Sequence, residues 1–356
     1  MIRANTNEFS KKAQNLLKFS DGETMHLIYE GDKLCLQTRN CTVYVDAENI
    51  GNKQVYIPQK AIALINKIGS DQFEMKADKK TLTIKYNRSS SDFQMNENFY
   101  EAKIFNGDLP EMNVIDKSLL PQIKKLTRYC NDDTQSSNAA TGGLYFKGNG
   151  KTLEIVATDG YRLVQFKTTC KSNIKLIIPK KDIEKIVALA ISEDVNIECC
   201  EIDTQKAFFK VGEYRIITQT LIFEKFIDYK RALKFDTFPV TVNVAEIKSA
   251  IERIVIVNGN NKKPIILESF KSDIRIASSA NETSKGLEYI SASFDSGNEF
   301  RRGYNGIWFA DMLSNYNGDV DIHVGVNARS PIYIENKSET SSLLTMIFPM
   351  IVKDMK

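Results

Sequence analysis

Lysine and arginine recur along five helix-like stretches of this chain, and cations gathered on one helix face can neutralise backbone phosphates. They are Lys11, Lys12 and Lys18; Lys60 and Lys67; Lys117, Lys124, Lys125 and Arg128; Lys180, Lys181 and Lys185; and Lys248 and Arg253. Acidic residues on the helix-like stretches are few (Glu8, Asp116, Asp182, Glu184, Glu246, Glu252 and Asp311), and several fall in a first turn, where they complement the helix dipole. The whole chain carries a net charge of only +3, so its acidic counterweight lies in strand and loop sequence such as EDVNIECCEID and FDSGNEF. Such segregation can present a basic surface on a nearly neutral protein, although a solvated helix face accounts for any one stretch alone. No helix is rich in Arg, Asn and Gln aimed at base edges, and no aromatic-basic stacking array is present. Backbone contact without sequence preference is the most that these residues imply.

Catalytic chemistry has little to stand on. The two histidines, His26 and His323, sit inside alternating strand sequence, and no P-loop, nucleophile motif or carboxylate pair is found. Asp159 with Arg162 in a phosphate-handling turn is the one enzymatic candidate, and it weighs little beside the rest. Six cysteines (Cys35, Cys41, Cys130, Cys170, Cys199, Cys200) lack metal-ligand spacing and read as buried thiols of a reducing cytoplasm. The N-terminal MIRANTNEFSKK lacks a secretory core, and no run approaches the roughly 18 apolar residues of a membrane helix, so a cytoplasmic protein with no membrane partner is expected. Neither cofactor nor metal is expected.

The elements that would position these residues come as a repeat. A first helix reads Asn7–Phe19, then Asp116–Cys130, then Asn243–Ile254; a second reads Pro58–Ile68, Pro179–Leu189 and Asn305–Tyr316. The second helices recur at a spacing of about 120 residues, which makes three units of one architecture. Apolar stripes run through Phe9, Ala13, Leu16 and Leu17, through Leu119, Ile123, Leu126 and Cys130, and through Val244, Ile247, Ile251 and Ile254, leaving the cations off the stripe. Between the helices period-2 alternation dominates, as in Leu27–Leu36, Thr81–Tyr86, Leu144–Phe166, Val195–Ile217, Ile265–Ile276 and Val320–Val326. Pro58 and Pro179 are placed at first helical positions and Pro121 in a first turn. The fold class is α+β, with three similar domains at 1–108, 109–234 and 235–356. Each is built of antiparallel sheets with two helices, whose apolar faces must pack on sheet.

The segment Gly143–Phe166, GLYFKGNGKTLEIVATDGYRLVQF, resembles the bacterial DNA polymerase III beta subunit, the sliding clamp, with Ala157–Leu163 (ATDGYRL) as the best marker. LIIPKKDIEKI, FIDYKRAL (Phe226–Leu233) and the C-terminal FPM (Phe348–Met350) follow in the family's order. The resemblance implies a clamp fold of three domains, paired head-to-tail into a homodimeric ring that encircles double-stranded DNA. That is a processivity factor rather than an enzyme. Partners would be the DNA polymerase III alpha subunit, the clamp loader and other clamp-motif proteins, each inserting a short apolar peptide between the middle and last domains. By residue-by-residue match, that pocket takes Thr158, Gly160, Tyr161, Arg162 and Leu163 from the first marker, with Thr141 at its edge. Ile227, Arg231 and Ala232 come from FIDYKRA, Asn305 and Trp308 from the last helix, and Met346, Phe348, Pro349, Met350 and Ile351 from the tail.

The same match makes Gln135 a DNA-contacting loop residue, and it sets Phe105 and the Tyr100–Phe105 strand against Ile256 and Val257 at the ring interface. Tyr161 stands where the family usually has His, Ile227 where it has Pro, Phe348 where it has Met, and Ile351 where it commonly has Arg. Lys353–Lys356 run beyond the family's usual end. The first domain departs most, with a short loop from Ser20 to Met25. A clamp-derived adaptor that binds the same peptides without encircling DNA is the alternative reading.

Overall fold

A computed structural model describes residues 2–20, 25–30, 33–49, 55–78, 80–95, 109–132, 139–259, 263–279, 285–295 and 297–352. Phe105, Tyr100–Phe105 as a strand, Gln135, Lys353–Lys356 and the side chain of His26 lie outside the described residues. Seven α-helices occur among those described: α1 Thr6–Leu17, α2 Gln59–Ile65, α3 Leu120–Leu126, α4 Lys180–Glu193, α5 Tyr229–Ala232, α6 Val244–Asn258 and α7 Gly306–Leu313. None is long and apolar enough to cross a membrane.

By packing, the described residues form two compact units, residues 1–125 with 172–222 and residues 126–171 with 223–356. In the first unit an antiparallel sheet runs in the order Ser89–Gln94, Thr81–Tyr86, Gln72–Ala77, Ile2–Asn5, Cys41–Asn49, Tyr214–Gln219, Lys206–Val211, Ile197–Asp203 and Asn113–Ile115. Strands of the first and middle repeats meet where Ile216 pairs with Cys41 and Arg215 with Thr42. α1 starts at Asn5, whose Oδ1 accepts the Glu8 N–H at 3.0 Å, and buries Phe9, Ala13 and Leu16. Phe9 meets Phe73 edge-on at 5.1 Å.

The second unit is built the same way, along Gly143–Gly148, Thr152–Thr158, Arg162–Thr169, Ser341–Ile347, Ile332–Lys337, Asp319–Gly325, Thr237–Asn243, Leu287–Ser293, Asp273–Ser278, Ile265–Phe270 and Arg301–Tyr304. Here Arg162 pairs with Ile347 and Leu163 with Met346, which joins middle-repeat to last-repeat sequence in one sheet. α6 buries Ile247, Ile251 and Ile254 in a core with Val240, Leu267, Ile276 and Phe309. Each such side chain contributes about 1.5–3 kcal/mol. That exceeds the ~0–1 kcal/mol of a surface ion pair, so the apolar stripe, not the charged face, fixes the helix.

Two helix starts differ from the sequence reading. Pro58 and Pro179 are cap residues in extended backbone (ψ 147 and 139), one position outside the helix, and neither offers a side-chain cap. The long third stretch is broken into a 3-10 turn Lys117–Leu119, α3, and a second 3-10 turn Thr127–Tyr129. Pro121 explains the first break. It has no N–H to give to a carbonyl four residues back, so the turn before it closes as Leu119 N–H to Asp116 O at 3.0 Å.

Candidate functional site

The turn between strands Thr152–Thr158 and Arg162–Thr169 is tied by its own side chains. Thr158 Oγ1 accepts the Gly160 N–H at 3.0 Å and donates to Arg162 O at 2.7 Å. Asp159 Oδ1 accepts the N–H groups of Tyr161 and Arg162 at 2.9 and 3.0 Å. Gly160 takes φ +92, a conformation that a side chain would strain. The result is a tight loop that projects Tyr161 outward, 64% exposed.

Arg162 turns inward. Its Nε meets Asp159 Oδ2 and its Nη1 meets Asp311 Oδ2, each at 2.9 Å, while Nη2 donates to Arg128 O. Its guanidinium lies 4.9 Å from the Tyr129 ring and 5.2 Å from the Trp308 ring. Burial pushes the Tyr129 phenol well above the usual tyrosine range, and the nearby Asp311 carboxylate adds to the shift. Trp308, half-buried against the core of α6 and α7, stacks on Tyr161 at 5.8 Å and 29°. Asn305 starts α7, its Oδ1 accepting from Ile307 and Trp308 N–H at 3.1 and 3.2 Å.

The tail closes the group. Phe348 N–H donates to Tyr161 O at 2.9 Å, and Met350 N–H to Gly303 O at 2.8 Å. Phe348, Pro349 and Met350 are half-buried, and Ile351 is 95% exposed. Thr141, Thr158, Leu163 and Met346 are buried, so they support the surface rather than line it. Ile227 and Ala232 are half-buried and Arg231 is exposed, paired with Asp228 at 3.0 Å. Their segment is anchored elsewhere: Phe226 stacks on Tyr145 at 4.6 Å. The arrangement offers an aromatic lid, an apolar strip and a half-buried cation.

The expected phosphate contacts divide. Lys60, Lys67, Lys125 and Lys181 are exposed, and Lys124 is exposed as well. Lys180 and Lys185 are half-buried, and Lys18 donates to Asn15 at 2.9 Å. Lys11 pairs with Glu193 at 3.1 Å, Lys117 with Asp194 at 2.8 Å, Arg128 with Asp311 at 3.2 Å and Lys248 with Glu252 at 3.8 Å. Arg253 holds Glu288 through two bonds of 2.7 and 2.8 Å, and its hydrogen bond lowers the Glu288 carboxyl.

Lys12 corrects the outward reading of its stripe. Its side chain is only 14% exposed and its ammonium reaches Glu213, Glu8 and the Tyr44 carbonyl at 2.6, 2.8 and 2.7 Å. Burial works against that charge, but the bonds to Glu213 and Glu8 outweigh it and raise the Lys12 pKa. A cation so held is spent on the fold. Ile256, at the last turn of α6, is 79% exposed, and Val257 is half-buried. Among the described residues no group of His, Cys, Asp or Glu could hold a metal ion.

Sequence reasoning passed over Tyr129 and Asp311 as members of this site. Asp311 was legible, since it lies three residues after Trp308 and so on the same helix face. Tyr129 was not, because its face depends on the break into a 3-10 turn.

Solved structures share this fold. The DNA polymerase sliding clamp of Caulobacter crescentus superposes with a TM-score of 0.86 at 18% identity, covering 99% of each chain. The DNA polymerase III beta chain of Streptococcus pneumoniae gives 0.86 at 16% identity over 98% of this chain and 99% of its own. Both mark a clamp fold. Residues 120–226 match the family described as DNA polymerase III beta subunit, central domain, and residues 235–350 its C-terminal domain. The chain belongs to the DNA polymerase III beta subunit family. It is similar to the beta sliding clamp of Haemophilus influenzae, 26% identical over 220 residues that make up 61% of this chain and 59% of that protein. With the clamp of Vibrio cholerae it is 22% identical over 210 residues, 58% of this chain and 56% of the other. The match thus spans less than two thirds of these relatives.

Proposed function

We propose that the chain is a DNA sliding clamp, a non-catalytic processivity factor. Its domains at 1–108, 109–234 and 235–356 pair head-to-tail with a second copy around double-stranded DNA. The observation that carries this reading is the assembled surface of Tyr161, Trp308 and the Phe348–Ile351 tail in a chain of this family. A half-exposed aromatic pair beside an apolar strip is a docking surface for a short apolar peptide. The DNA polymerase III alpha subunit, the clamp loader and other clamp-motif proteins would dock there, through Ile227, Arg231 and Ala232 as well as the lid and tail.

Exposed cations on α2, α3 and α4 would meet backbone phosphates, with Gln135 adding a loop contact and Phe105, Ile256 and Val257 closing the ring. A ring holds DNA by topology, so a few non-specific contacts suffice and leave it free to slide. The location would be the cytoplasm. Retention on nicked circular plasmid, with a matched loader and ATP, compared with the same plasmid linearised, tests the reading. A clamp stays on circles and runs off linear ends. Equal retention on both means plain electrostatic association, and a monomer by light scattering that binds neither form leaves only the peptide-binding adaptor.

A further inference from the structure

Arg162 is held by three nitrogens on three partners, and only one of them is a side chain from another element. Asp159 lies in the same turn and grips one edge through Nε at 2.9 Å, while Arg128 supplies a carbonyl to Nη2. Asp311 reaches Nη1 from α7 at 2.9 Å. Its second oxygen is occupied by the Arg128 guanidinium at 3.2 Å. The two aspartates and two arginines balance in charge. Exposure falls inward through the set, from 62% for the Arg128 side chain to 21% for Asp311, 14% for Asp159 and 12% for Arg162.

α7 thus presents two groups to one guanidinium. Trp308 offers its ring at 5.2 Å, and Asp311, one turn on, offers its carboxylate. A planar fork gripped at three nitrogens keeps one orientation, which a point charge could not. Tyr161 follows from it, being the residue just before Arg162 and stacked on the same indole at 5.8 Å.

Resting on the peptide-site reading above, we infer that Asp311 is a positioning residue of that site. It touches no peptide. It fixes Arg162 against Trp308 and so sets the aromatic lid before a partner arrives. Ordering done in advance removes a cost that binding would otherwise bear.

Trp308 is the chain's one tryptophan, so its emission reports on the lid alone. The test measures that emission and the affinity for a short fluorescein-labelled peptide carrying adjacent leucine and phenylalanine. Asp311→Asn, close in shape, should shift the emission and weaken the peptide about tenfold, the scale of one charge-assisted hydrogen bond. Asp311→Glu, which keeps the charge, should recover most of both. Arg162→Lys should reproduce the Asn result, since an ammonium cannot engage all three partners, and it decides the matter should Asp311→Asn unfold. Wild-type emission and affinity in Asp311→Asn, or in Arg162→Lys, would overturn the role given to Asp311. A wild-type protein without affinity for any such peptide would overturn the peptide site instead, and the emission of the variants would still judge Asp311.

Discussion

Replacing Asn305 by alanine removes one oxygen that serves two backbone donors. Those donors are the N–H groups of Ile307 and Trp308, at 3.1 and 3.2 Å, at the start of a helix only eight residues long. Losing an asparagine cap costs about 1 kcal/mol, within a usual range of about 0.5–2. For a unit of this size that is a fall in Tm of about 2–4 °C. The buried side chains Phe309, Met312 and Leu313 should hold the rest of α7 in place, so the protein stays folded.

The local effect should be larger than the global one. Trp308 sits in the uncapped turn, and a turn that frays carries the indole with it. The variant should therefore show altered tryptophan emission and weakened peptide binding beside its small loss in Tm. Asn305→Asp keeps the acceptor and adds a charge favoured at a helix start by about 0.3–1 kcal/mol, so it should match or exceed the wild type in all three measurements. Calorimetry, emission spectra and fluorescence polarisation on the three proteins decide it. If alanine and aspartate both abolish peptide binding while Tm and emission stay put, Asn305 acts by touching the ligand through its amide, and the capping argument is refuted.

Gly303→Ala would set a Cβ against the Val352 side chain and 3.3 Å from Met350 O, so the tail must leave its bond to Gly303 O; peptide affinity should fall by far more than Tm, and unchanged affinity would show that the tail is no part of the site. Burial pushes the Tyr214 phenol up to about 12, while an unfolded tyrosine ionises near ~10. The folded state keeps its proton longer, so this contribution is intact below about pH 10 and is lost as pH rises towards about 12. Tm against alkaline pH should fall less steeply in Tyr214→Phe than in the wild type, and parallel curves would dispose of the argument.

What could be read from the chain alone divides by range. The body of α6 was legible because its signal is local, with Ile247, Ile251 and Ile254 at helical spacing. Its ends were not, since Asn243 lies outside as the cap and the helix runs on past Ile254 to Asn258, where Gly259 in left-handed backbone stops it. The third stretch misled in where it starts and stops: Pro121 does lie in a first turn, but that of α3, which begins at Leu120 after Lys117–Leu119 has closed as a separate 3-10 turn. Lys12 misled for a different reason. Its stripe position is outward by periodicity, but Glu213 approaches from another repeat, a pairing that no window of sequence contains. The first repeat, least faithful in sequence, still falls within the 99% of the chain that superposes on a clamp. Alternating burial constrains polarity far more than identity, so fold outlasts the markers.

The site obeys the same distinction. Its residue types were named from a resemblance, yet what gathers them is strand register. Arg162 faces Ile347 and Leu163 faces Met346, and the turn before one strand and the tail after the other follow from that pairing. Slipping the register by one residue would send Leu163 outward and Arg162 into the core, because strand side chains alternate. The buried Leu163 and Met346 therefore hold the register that lets Phe348 N–H reach Tyr161 O. Enlarging either should disturb that register, and with it the turn and the tail together.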